Sequence, residues 1–214
     1  MDEFAGETGG GGSALRQAFK SLTLLRDDPP FRHFVITRAL LLCSALAAPY
    51  FVVLAQGAND SGWLLGIFLL ASSLASSVSA SIWGWMADDS SRKVMIRGAL
   101  IASGACLTVG LVAWQFGDST WIGWFYPAGF FVLSIAHAGV RLGRKTYLVD
   151  MAGGNKRTDY TSVSNTVIGV LLLTVGGLTA LVSMISEVAV ILTLGLMGLA
   201  GAMSAVRLKD VTND

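Results

Sequence analysis

Six apolar runs, each about 20 residues long, leave this chain few folds to choose from. They lie at about 33–56, 62–86, 95–115, 120–142, 161–184 and 187–206. At 1.5 Å per residue, about 20 helical residues cross the roughly 30 Å hydrocarbon core of a bilayer. Inside that core every backbone donor and acceptor must be satisfied within a helix or a closed barrel, and no run here alternates as a barrel strand would. The pattern predicts an all-α membrane protein, a bundle of six transmembrane helices. Composition agrees: 53% of residues are hydrophobic and only 14% charged, where soluble domains carry about 25%. The mean hydropathy is +0.63. The thinnest division is the fifth from the sixth run, which rests on Ile185, Ser186 and Glu187 alone.

The cations orient the bundle. All 15 Lys and Arg fall before or at the opening of the first run, after the second, after the fourth or after the sixth. The intervening loops, around Asn59-Asp60, Gly117-Asp118 and Ser186-Glu187, carry none. By the positive-inside rule both termini are cytoplasmic, and an odd number of spans would have scattered the pattern. Trp63, Trp114, Trp121 and Trp124 mark the opposite interface, where Tyr50 and Tyr126 are also expected.

Residues 1–30 differ from the rest: acidic, then glycine-rich through Gly9–Gly12, then a short amphipathic stretch over 14–25 stopped by Asp27-Asp28-Pro29-Pro30. No basic start leads into an apolar core, so this is not a secretory signal. A six-helix domain over 31–207 and a cytoplasmic tail over 208–214 complete the division. Cys43 and Cys106 lie inside apolar runs and read as small hydrophobes. Neither a Cys/His cluster, nor a phosphate-cradling glycine loop, nor a nucleophile beside a base is present, so no enzyme, metal or cofactor is expected. The basic residues are accounted for by topology and lack interleaved aromatics, which argues against nucleic acid.

Packing residues are plentiful. Residues 71–81 of the second run are almost all small, which lets helix backbones approach closely in lipid. Ser72, Ser76 and Ser79 share a face that either packs or lines a water-filled cavity. Gly104, Gly110 and Gly176-Gly177 invite close approach, and Pro49 and Pro127 should bend their helices. Polar residues inside the spans are few. Arg38 either snorkels to the interface or has a partner. His137 either forms a structural hydrogen bond or carries a coupling proton. Asn165, beside Thr166, either caps and packs or binds solute. A mid-span carboxylate is lacking.

Two charged patches carry a resemblance. Gly84-Trp85-Met86-Ala87-Asp88-Asp89-Ser90-Ser91-Arg92-Lys93, between the second and third runs, resembles the G-x-x-x-D-[RK]-x-G-R-[RK] loop of the major facilitator superfamily. Gly84, Asp88, Arg92 and Lys93 fit, while Asp89 and Ser91 stand where the family has a basic residue and a glycine. Arg141, Arg144 and Asp150, with Arg157 beyond, are similar to the family's 4–5 loop, and Asp150 and Arg157 are placed to pair. The opening of the first run, from Phe31 through Arg38 to Pro49, is similar to the entry into the family's seventh helix. The resemblance implies one six-helix half, most like the C-terminal one, of an inner (plasma) membrane transporter that works by alternating access. It implies that Asp88 docks on a helix of the other half; read from the residues alone, its partner is Arg92 and Lys93 or the amino end of a neighbouring helix, or the stretch is a solvated turn. Arg38, His137 and Asn165 become candidates for a solute or proton path. A single half has one wall of a transport site, so a partner half, a homodimer or a larger membrane complex is expected. The alternative is a non-transporting subunit that scaffolds such a complex through its small-residue faces.

Overall fold

The computed structural model describes residues 23–58, 62–119, 121–152 and 156–211. Among them are seven long helices: α1 (Pro29–Leu40), α2 (Cys43–Ala58), α3 (Trp63–Asp89), α4 (Ser91–Phe116), α5 (Ile122–Met151), α6 (Lys156–Ser183) and α7 (Glu187–Val206), with no strand. Helices α1 and α2 form one apolar span, so six spans are long and apolar enough to cross a membrane. The chain is a multi-pass, all-helical membrane protein.

Local chemistry sets the helix ends. Extended Asp28 accepts from Phe31 N at 3.0 Å, while Pro29 and Pro30 occupy the first turn, where a missing N–H costs nothing. Extended Ser90 and Ser186 cap α4 and α7 in the same way, accepting from Lys93 N at 3.3 Å and Ala189 N at 3.2 Å. The Ser186 cap, with Glu187 favourably placed in the first turn, divides the fifth span from the sixth. The amphipathic stretch expected over 14–25 lies mostly outside the described residues, of which 23–27 are helical. The Gly9–Gly12 run and Asn59-Asp60 lie outside them entirely.

Helices overrun the apolar runs at the basic end. Helix α5 continues to Met151, nine residues past the expected 142, and its 30 residues span about 45 Å. Hydropathy marks only the part suited to hydrocarbon, and charged helix can project beyond it. The 84–93 patch is therefore not a loop: α3 runs through Asp89, and Ser90 alone separates it from α4.

Helix α4 is the hub, with half of its apolar window buried, and it packs most extensively on α5 and α7. Helix α2 lies against α5 and α7, α3 leans on α5, and α6 leans lightly on α7, α1 and α5. In lipid, apolar side chains gain little by leaving solvent, so dense contact must hold the bundle. One apolar cluster gathers Phe51, Phe68, Ile122, Tyr126 and Leu194. A second, at the basic end, gathers Phe31, Phe34, Met95, Tyr147 and Leu208. There Phe31 stacks on Tyr160 at 4.3 Å and Phe34 on Tyr147 at 5.2 Å.

Several expectations need correction. Tyr126 is 2% exposed, a core residue rather than part of an interfacial belt. The first span is interrupted at Leu41-Leu42, while Pro49 and Pro127 lie within helices that continue past them. A Cβ on Gly104 or Gly177 would meet nothing within 4 Å, so these are not contact points. Close approach occurs instead where Gly139 faces the Trp83 ring and Gly143 faces Met95, at 2.5 and 2.7 Å from a Cβ position. Gly110 keeps its expected role against Leu192. The tail is not free over 208–210, because Leu208 is buried and its neighbours are bonded to the bundle.

Candidate functional site

The basic end is a fastened surface. Arg92 reaches across to the end of α7, donating to Leu208 O at 2.9 Å and Val206 O at 3.3 Å, and pairs with Asp210 at 3.3 Å. A cation suits the exposed carbonyls of a helix C-terminus. Ser90 Oγ also approaches Asp210, at 3.2 Å, and Tyr147 donates to Lys209 O at 2.9 Å. Ser91 Oγ donates to Asp150 at 3.3 Å, which joins the two charged patches. Tyr160 donates to Asp28, tying α6 to the start of α1.

This arrangement redistributes the expected partners. Asp88 receives neither Arg92 nor Lys93, since Lys93 pairs with Asp89 one turn back, at 3.0 Å. Among the described residues nothing bonds Asp88, which is exposed in the last turn of α3, where the helix dipole disfavours a carboxylate. No ion pair joins Asp150 and Arg157. Asp150 is taken by Ser91, and Arg157 is exposed on the first turn of α6.

Three cavities open along α1, α2, α3, α5 and α6, and Arg141 lines all of them. The first, about 320 Å³, is lined by Arg38, Arg141, Arg144, Lys145, Thr161 and Asn165 among others. Arg38 neither snorkels freely nor stands alone: its guanidinium donates to Ser164 Oγ at 2.5 Å and Asn165 Oδ1 at 2.8 Å. The second, about 270 Å³, holds His137 with Ser44, Ser72, Ser76 and Ser134. The third, about 520 Å³, holds Ser76, Ser79, Gly84 and Lys145. Ser72, Ser76 and Ser79 thus line cavities, while Ser76 and Ser79 also satisfy their hydroxyls on carbonyls one turn back.

His137 depends on the break in the first span. At Leu41-Leu42 the Ala45 N–H turns to Leu42 O, which frees Leu41 O for the Ser44 hydroxyl at 3.1 Å. With that proton committed, Ser44 accepts from His137 Nδ1 at 3.1 Å. A hydrogen on Nδ1 follows. His33 lies within the first span. Its Nε2 meets Ser204 Oγ at 3.2 Å, Ser204 meets Thr37 Oγ1 at 2.6 Å, and Thr37 donates to His33 O.

Sequence reasoning brought Arg38 and Asn165 into one candidate set, and they are bonded; His137 occupies a neighbouring cavity joined to theirs through Arg141. It missed Ser90, Ser91, Ser164 and Asp210. The two serines before Arg92 carry a legible helix-start signal, whereas a surface aspartate in a short tail carries none. Compared with protein families, curated proteins and solved structures, the chain matches none.

Proposed function

We propose that this chain is one wall of a two-walled solute transporter of the major facilitator type. It works by alternating access and is completed by a separate six-helix half or a second copy. The carrying observation is the polar trough around Arg141, set on one face between the two least buried spans. Only 17% of the apolar window of α3 and 11% of that of α6 is buried, against 50% in α4. A trough holding His137, Arg38 and Arg141 is costly against hydrocarbon, which favours a second wall and water over lipid. Solute sites at the interface of two such repeats follow the same logic. Exposed, unbonded Asp88 at the end of α3 supplies a carboxylate for a partner to receive. The cation pattern favours a cytoplasmic basic end in the inner (plasma) membrane.

Native mass spectrometry after gentle extraction tests this reading. A partner bearing six further spans, or a homodimer, is expected, and substrate screening in proteoliposomes follows. A lone small subunit bound to a large unrelated assembly would overturn the reading and leave a scaffold.

A further inference from the structure

Four cations converge on one cavity with no carboxylate in its lining. Arg38 comes from α1, and Arg141, Arg144 and Lys145 come from consecutive turns of α5, closed by Thr161 and Asn165 of α6. Among the described residues no hydrogen bond or ion pair reaches Arg141, Arg144 or Lys145, and the Nε of Arg38 and of Arg144 are both buried without acceptors. The charges of Arg38 and Arg141 both act on Arg144. Two other cations at this end do have carboxylate partners: Arg92 has Asp210 and Lys93 has Asp89. Arg38 and Arg144 are half-buried while Arg141 and Lys145 are exposed, and repulsion among four cations that share one cavity without a counter-charge is unfavourable. Such a cluster persists where an anion completes it.

We propose that the α1/α5/α6 cavity binds a phosphate group. Planar guanidinium forks match the oxygens of a phosphate, with lysine adding a point charge. One carboxylate would offset one of four cations, while a phosphate dianion offsets two. Ser164 and Asn165 hold the Arg38 fork in place, leaving its Nε as a donor still without an acceptor. The cavity, about 320 Å³, has room for a phosphate with a small organic substituent. Two sources carry this chemistry: a phosphorylated solute, or the headgroup of an anionic lipid seated at the basic end. Naming the solute as cargo rests on the transport reading; phosphate binding itself does not.

The test uses the full chain with any copurifying partner, in nanodiscs of phosphatidylcholine, titrated calorimetrically with inorganic phosphate. A second preparation includes phosphatidylglycerol, with retained lipid read by native mass spectrometry. Saturable phosphate binding weakened about tenfold or more in Arg144→Gln is expected, with Arg207→Gln, at the same end but outside the cavity, unchanged. Arg144→Lys keeps the charge without the fork and should bind more weakly than wild type even where Arg144→Gln fails to fold. Phosphatidylglycerol retained by wild type and lost in Arg144→Gln, without phosphate binding, would uphold the site and assign it to lipid. Binding of neither probe, or equal loss in Arg207→Gln, would overturn it. A phosphate site without a six-span partner would remove the transport reading alone, and a partner without a phosphate site would remove this inference alone.

Discussion

Arg92, at the start of α4, and Asp210, four residues beyond the end of α7, stand 3.3 Å apart, with side chains 27% and 28% exposed. The pair closes a ring of contacts in which Ser90, Leu208 O and Lys209 O also take part. Because Arg92 simultaneously serves the carbonyls at the end of α7, the tail and the α3–α4 junction are held as one piece.

A double-mutant cycle of Arg92→Gln and Asp210→Asn should therefore give a coupling of about 0.5–1 kcal/mol, since partial exposure screens the pair. Denaturation in mixed micelles measures it. Zero coupling would mean that the tail is held by its other contacts, among them buried Leu208 and the Tyr147 bond to Lys209 O.

Asp88→Asn should leave the stability of the chain within about 0.5 kcal/mol of wild type, because no partner is lost. On the transport reading proposed above, the same change should slow transport in the assembled protein. Equal transport rates across a substrate panel would remove Asp88 from the conformational cycle.

Ser204→Ala breaks the relay that links His33, Ser204 and Thr37 between α1 and α7. The expected loss is about 1 kcal/mol, the usual net value of such bonds. Thermal denaturation compared with Thr193→Ala, whose hydroxyl only serves its own helix, separates the relay from a general hydroxyl effect.

Gly139→Ala places a methyl group 2.5 Å from the Trp83 ring and should cost about 1–3 kcal/mol through forced separation of α3 and α5. Gly104→Ala meets open space and should be neutral or stabilising, as alanine favours helix. Similar melting temperatures for both variants would contradict the packing described.

The spans themselves were legible because hydropathy is a local property, summed along one helix at a time. The six runs and the clustering of all cations at alternate helix ends needed no knowledge of neighbours. Helix ends were less legible. Charged residues from Asp88 to Lys93 and from Arg144 to Asp150 looked like loop because they fall outside hydrocarbon, yet backbone hydrogen bonding continues into the polar zone and they are helical.

Pairing was decided only by tertiary structure. Asp150 lies seven residues from Arg157 but meets Ser91, and Arg92 lies four from Asp88 but meets Asp210. Gly104 and Gly139 are alike in sequence, and only the helix crossing puts an indole against the second. Arg38, Arg141, Arg144 and Lys145 each read singly as a boundary cation, and only the approach of α1, α5 and α6 sets them around one cavity. The chain order specifies which residues tolerate lipid and which do not. Which polar groups meet depends on the rotation and crossing of whole helices, a property of many contacts at once that no local stretch encodes.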